Sequence, residues 1–196
     1  MHSVKRLFTT YDVKGKQNYL NSQKKFEIIR TVIYFAISLS LFISGIMITG
    51  SRKNLLTIVA VLGCLPACKS TVEMIMFLRF NSLSPEICNR IEKACQPLNG
   101  LYDLVFTSYE KNFQVDHLIL KDHILCGYSA SKKLDENLCQ THLKTMLLQS
   151  GYKDLSIKIY KDLDKYLERL KQLNEIENDN PEFRNSVYNT LKSISL

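Results

Sequence analysis

The chain has 196 residues, 45% of them hydrophobic, with only 7 Gly, 4 Pro and no Trp, a composition that excludes collagen-like and disordered classes. The formal charge of +7 invites a nucleic-acid reading, but its distribution points elsewhere. Residues 1–54 carry nine cations against two anions and residues 79–196 carry sixteen of each sign, so the net charge flanks the first apolar segment, the pattern of the positive-inside rule.

Residues 1–30 mix Tyr19, Leu20, Phe26, Ile28 and Ile29 with Lys24, Lys25 and Arg30. This mixture predicts a basic interfacial segment whose cations meet the headgroups of anionic membrane lipids. Residues 31–50, TVIYFAISLSLFISGIMITG, carry no charge. As a helix they are about 30 Å long, enough to span a hydrocarbon core once. No small-residue cleavage site follows, so a retained helix is expected. Residues 51–54 make a tight polar turn, and a second helix is predicted over 55–78, its apolar run broken by Pro66, Lys69 and Glu73. So short a turn forces an antiparallel hairpin. With seven cations before the first helix and two, Arg52 and Lys53, in the turn, both termini are expected in the cytoplasm.

Helices in lipid associate through small residues. Ala36, Ser40 and Ser44 repeat at four-residue spacing on the first helix, and Ala60, Cys64 and Cys68 on the second. These stripes pack either against each other within the hairpin or between copies. Lys69 and Glu73 are spaced to pair on one helix face. Either they line a bundle or pore interior, or Pro66 kinks the helix and Lys69 reaches the headgroups, leaving residues 70–80 as an interfacial extension.

Beyond Phe80, Ser84-Pro85-Glu86 signals a helix start, with a stop near Gln96. Residues 101–109, 113–120 and 123–128 read as three strands, the first two a hairpin. A helix is predicted over 134–150, a fourth strand over 155–160, and helices over 163–176 and 181–194. Residues 84–196 are therefore expected to be a cytoplasmic α/β domain, with a mixed sheet of about four strands, that senses or binds a ligand. The six cysteines form no CxxC pair. There is no phosphate loop, HExxH or GxSxG, so no catalytic, metal or cofactor site is expected. His117 and His123, with Asp116 and Asp122 beside them, either cluster across the hairpin or stay surface polar positions.

The order α, β, β, β, α, β resembles the core of the PD-(D/E)xK nuclease-like fold, in which an Asp on the second strand and an E-x-K on the third hold a divalent metal. Asp116 sits where that first acid would, but residues 123–128 supply neither acid nor lysine. One carboxylate neither holds a hard metal nor activates water, so the reading is a degenerate, binding-only version of that fold or an accidental match of element order.

The layout as a whole, residues 31–78 plus the domain that follows, resembles the channel-forming effectors of the Hailong anti-phage defence system. That resemblance implies a homotetrameric channel in the bacterial inner membrane, held closed by single-stranded DNA oligomers from a partner nucleotidyltransferase. Under it Lys69 and Glu73 face the pore. The DNA-binding candidates are Lys111, Lys121, Lys132 and Lys133, with Tyr109 and Tyr128 as stacking surfaces. A passive membrane anchor that recruits a soluble partner, and a membrane-tethered nuclease-like enzyme, stay open as alternatives.

Overall fold

The computed structural model of the chain describes residues 14–51, 54–109, 111–176 and 179–196. Their order is α1 (Tyr19–Thr49), α2 (Leu55–Leu78), α3 (Pro85–Cys95), β1 (Leu101–Thr107), β2 (Asn112–Lys121), β3 (Ile124–Tyr128), α4 (Glu136–Gln149), β4 (Ser156–Tyr160), α5 (Leu163–Asn174) and α6 (Pro181–Ile194). They divide into two compact units, residues 20–81 and residues 14–19 with 82–196.

The first unit is a hairpin of two helices, each long and apolar enough to cross a membrane. The expected interfacial segment is not a separate element. From Tyr19 onward it is the opening of a single 31-residue helix, because neither Gly nor Pro interrupts the chain before Gly45. Residues 14–18 belong to the second unit, and residues 1–13 and the turn cations Arg52 and Lys53 lie outside the described residues. Asn54 starts α2 by accepting from the Thr57 backbone N–H at 2.8 Å. The helix then continues through Pro66, which is exposed.

The faces that pack differ from the expected stripes. On α1, Thr31, Ser38 and Gly45 are buried at seven-residue intervals, while Ala36, Ser40 and Ser44 are exposed. On α2 the buried positions are Ala60, Ala67, Ser70 and Phe77. Cys64 is half-buried against Ser38, and Cys68 is exposed. The reason is helical drift: a seven-residue repeat slips only about 20° per step and so tracks a neighbouring helix, whereas a four-residue repeat turns away from it. Contact is backbone-close. The Ser38 hydroxyl donates to the Ala60 carbonyl at 2.6 Å, and a Cβ on Gly63 would lie 3.0 Å from Ser38 Oγ. At Gly45 a Cβ would lie 2.9 Å from the Leu56 Cβ.

The second unit is a three-layer α/β/α domain around a mixed four-stranded sheet in the order β1-β2-β3-β4. β2 runs antiparallel to β1 and β3, and α4 carries the crossover to β4, which lies parallel to β3. One core joins the sheet to α4 and α6 through Leu118, Leu125, Leu143 and Leu191. The other joins it to α3 and α5 through Ile91, Ile119, Cys126 and Leu170. Ser84 precedes α3 as expected but makes no side-chain cap, whereas Asp135, Asp162 and Asn180 cap α4, α5 and α6.

The strand alternation slips once. Phe113 and Val115 share a core with Leu118 and Leu120, although period two would put these pairs on opposite faces. β1 slips at the same level, between Leu101 and Leu104, where Asp103 adopts φ +55°. The register pairs Tyr102 with His117 and Leu104 with Val115, so Asp103 and Asp116 stand opposite each other.

Candidate functional site

The slip buries two carboxylates on neighbouring strands, with Asp103 2% and Asp116 1% exposed. Asp116 accepts hydrogen bonds from the Ala130 backbone N–H at 2.7 Å and from Gln114 Nε2. Burial pushes its pKa up to about 6; the two hydrogen bonds oppose the rise and nearby Asp103 adds to it. Asp103 accepts from the Ser82 hydroxyl at 2.5 Å. The buried Cys88 thiol of α3 also faces this pair: burial raises its pKa first, then the charges of Asp103 and Asp116. Such a carboxylate exchanges a proton near neutrality.

The rest of a hydrolytic centre is not assembled around it. At this end β3 presents Cys126, Gly127 and Tyr128. Among the described residues no group of three or more His, Cys, Asp or Glu side chains is arranged to hold a metal ion. Nor do the two histidines cluster. His117 is fully buried, with Nδ1 2.6 Å from the Tyr166 hydroxyl, and burial pushes its pKa down to about 3. His123 lies beyond the far end of β2, 4.0 Å from Asp122 and against the Phe183 ring. His117 lies within β2 and His123 in the turn that follows it, so of the two alternatives the cluster does not form, and one is a core histidine and the other a surface histidine.

A second polar group lies within the hairpin. Arg30 pairs with both Glu27 and Glu73, and its Nε is 3.4 Å from Ser70 Oγ. Gln23 Nε2 donates to Glu27 at 2.8 Å. Lys69 Nζ is 4.0 Å from Glu73 with its side chain 79% exposed, so the expected Lys69–Glu73 pair is loose and Glu73 is held chiefly by Arg30. The hairpin register sets Ser70 against Thr31, with their hydroxyls 2.8 Å apart. These charges therefore stand where the uncharged run of α1 begins, not midway along it.

The nucleic-acid candidates divide. Tyr109 is fully exposed in the β1–β2 turn next to Lys111. Lys132 and Lys133 follow β3 at the same end of the sheet, where the Ser129 hydroxyl donates to the Gln114 carbonyl at 2.7 Å. Lys121 is buried at the other end of β2, a ten-residue strand and so about 30 Å away. Tyr128 is also buried, its ring stacked on Tyr166 at 5.6 Å, and has no face to offer a base. A continuous basic surface therefore excludes Lys121 and Tyr128.

Sequence reasoning missed Asp103, and it missed the pairing of Glu27 with Arg30, which it named only as an interfacial cation. The last two carried a signal, an acid and a base three residues apart immediately before an uncharged run. Asp103 carried only its polarity inside the apolar stretch LYDLVF.

The fold and site thus define an α/β/α domain on a chain that also carries a helical hairpin of membrane-spanning length. No protein-family model, curated protein or solved structure matches the chain.

Proposed function

We propose that the chain is an oligomeric, pore-forming effector of the bacterial inner membrane in anti-phage defence, with both termini cytoplasmic, and that its α/β domain gates the pore in response to a single-stranded DNA oligomer. One observation carries the oligomeric part. α1 has two faces of small residues, and the hairpin uses only Thr31, Ser38 and Gly45. The second face, Ala36, Ser40 and Ser44, is left exposed at the depth of the uncharged run, where small residues let helices of neighbouring copies approach. Four copies, the number implied by the Hailong resemblance, would pack through this face around a central pore. The ligand reading draws on the same resemblance and on the exposed group Tyr109, Lys111, Lys132 and Lys133, an aromatic ring among cations suited to a nucleic-acid strand.

The test is ion flux through the purified chain in liposomes, with and without short single-stranded DNA, beside a variant carrying Ser40→Phe and Ser44→Phe. Flux that DNA suppresses, lost in the variant together with the oligomer, is the expected result. No flux from an intact wild-type oligomer would replace the pore with a passive anchor.

A further inference from the structure

The hairpin leaves an open groove on one side of its helix contact. The groove holds a cavity of about 240 Å³ bounded by Phe35, Leu39 and Phe42 of α1 and by Ala60, Val61 and Cys64 of α2. Ser38 also lines it, but its hydroxyl is engaged by the Ala60 carbonyl at 2.6 Å, so the surface is apolar. An α-helix returns to the same side after five turns, or 18 residues. Lys24 stands 18 residues before Phe42 and Arg79 stands 18 after Val61, so both cations lie on the groove's side of their helices. Lys24 Nζ donates to Asn81 Oδ1 at 2.5 Å, which brings the start of α1 and the end of α2 together there through a neutral partner that does not cancel the lysine's charge. Arg79 is exposed. Exposed Ile28, seven residues before Phe35, and exposed Ile75, eleven after Cys64, continue the apolar side between the cations and the groove.

We propose that this side of the hairpin binds one anionic phospholipid, its phosphate held by Lys24 and Arg79 and an acyl chain laid along the groove. The site rests on the hairpin's crossing a membrane, and not on a pore. Depth supports it. The exposed apolar band starts at Ile28 on α1 and ends at Leu78 on α2, so Lys24, about 6 Å beyond the first, and Arg79, next to the second, stand at headgroup level. From there the near end of the groove lies about 17 Å down α1, at Phe35, and about 22 Å down α2, at Cys64. One leaflet is about 20–22 Å thick, so a single chain reaches the groove from that headgroup. Charge selects an anion: Glu27 and Glu73, the hairpin's two acids, are held by Arg30, which leaves Lys24 and Arg79 to set the sign at this end. Shape selects a flexible chain over a helix, because Phe35, Leu39 and Phe42 stand along the groove and hold off a helix backbone, which needs small residues to come close. The groove is also distinct from the second small face of α1, since Ser40 is two residues, about 200° of rotation, from Ser38.

The experiment is native mass spectrometry of the purified full chain, released from detergent micelles that contain phosphatidylglycerol and phosphatidylcholine in equal amounts, beside flotation of the chain with vesicles of phosphatidylcholine alone. Wild type should retain one phosphatidylglycerol per copy in preference to phosphatidylcholine, by up to about 30-fold for two cations at anionic headgroups. Lys24→Gln with Arg79→Gln should bring the ratio close to unity. Lys25→Gln, one residue and about 100° away, should keep it. Val61→Trp, at a position 63% exposed, should fill the groove and cut retention of both lipids several-fold. Circular dichroism checks that the variants keep their helices; the charge and groove variants test the site separately, so loss of one fold leaves the other to decide it. A preference that survives in Lys24→Gln with Arg79→Gln, or vanishes equally in Lys25→Gln, overturns the site, as does undiminished retention in Val61→Trp. A chain that floats with the vesicles yet shows no preference has lost the site alone; one that does not float overturns the membrane reading beneath it, and the site with it.

Discussion

Thr31 of α1 and Ser70 of α2 meet hydroxyl to hydroxyl at 2.8 Å, one residue from Arg30, which reaches across to Glu73. A polar contact thus fixes the register of the hairpin at the level where its charges begin. Arg30 also holds Glu27, whose side chain is only 4% exposed. Arg30→Met should therefore leave a buried carboxylate without its cation and destabilise the hairpin by about 3 kcal/mol, as for other broken buried pairs. Adding Glu27→Gln and Glu73→Gln should recover most of the loss. Unfolding of the purified chain in bicelles reads both variants; equal stability of Arg30→Met and wild type would show that the pairs do not hold the hairpin.

Close backbone approach at Gly63 gives a second test. With its Cβ position already 3.0 Å from Ser38 Oγ, Gly63→Leu should push the helices apart and cost about 1–3 kcal/mol. Ala36→Leu, on the exposed face of the same helix pair, should leave hairpin stability unchanged. Proteolysis and unfolding in the same bicelles check the contrast.

In the domain, a Cβ on Gly100 would lie 2.2 Å from His117 Nε2, and that nitrogen has no hydrogen-bond partner. Gly100→Ala should destabilise the domain by more than about 2 kcal/mol, and His117→Ala should partly rescue it, an interaction visible in a double-mutant cycle. His117 also sets an acid limb. Because its folded pKa is pushed down to about 3, stability is intact above the ordinary histidine value of 6.5 and falls as pH drops from there toward 3. His117→Ala should flatten that limb.

Asp116 works in the opposite sense. Its folded pKa is raised from 3.8 to about 6, so its contribution is fully present below pH 3.8 and is lost as pH rises through 6. Asp116→Asn should raise stability at pH 7 by up to about 3 kcal/mol and bring no gain below pH 4. Thermal unfolding against pH measures the crossover.

Tyr188 ties β2 to the loop before β1: its hydroxyl accepts from the Leu120 backbone N–H and donates to the Asn99 carbonyl, both at 2.9 Å. Tyr188→Phe keeps the ring's packing but strands a buried N–H, at a cost of about 1–3 kcal/mol. Loss of protection at the Leu120 amide should accompany it.

The elements of the domain were legible because each carried its own period and punctuation. α6 starts and ends at the predicted Pro181 and Ile194, and the four strands differ from expectation by one or two residues at their ends. The hairpin's packing face was not legible. Thr31 and Ser38 are no smaller than Ser40 and Ser44, and which set packs depends on where the partner helix begins. Asp103 and Asp116 met for a similar reason. Strict alternation gives each strand one face, and nothing local in LYDLVFT announces that both strands slip at the same level. Tyr128 and Lys121 looked like surface residues by type, yet β2 and β3 are inner strands covered by helices on both faces.

The outer edge of β1 is occupied at both ends, by the Gly15 bridge to Tyr102 and by the Ser195 bridge to Phe106, with the Leu196 N–H on the Val105 carbonyl. The opposite edge, β4, is five residues long and presents exposed Lys158 at its centre. Short, charged or covered edges do not accept a further strand. If copies gather as proposed above, these domains are thereby protected from joining edge to edge into a continuous sheet, and can come together closely without seeding aggregation.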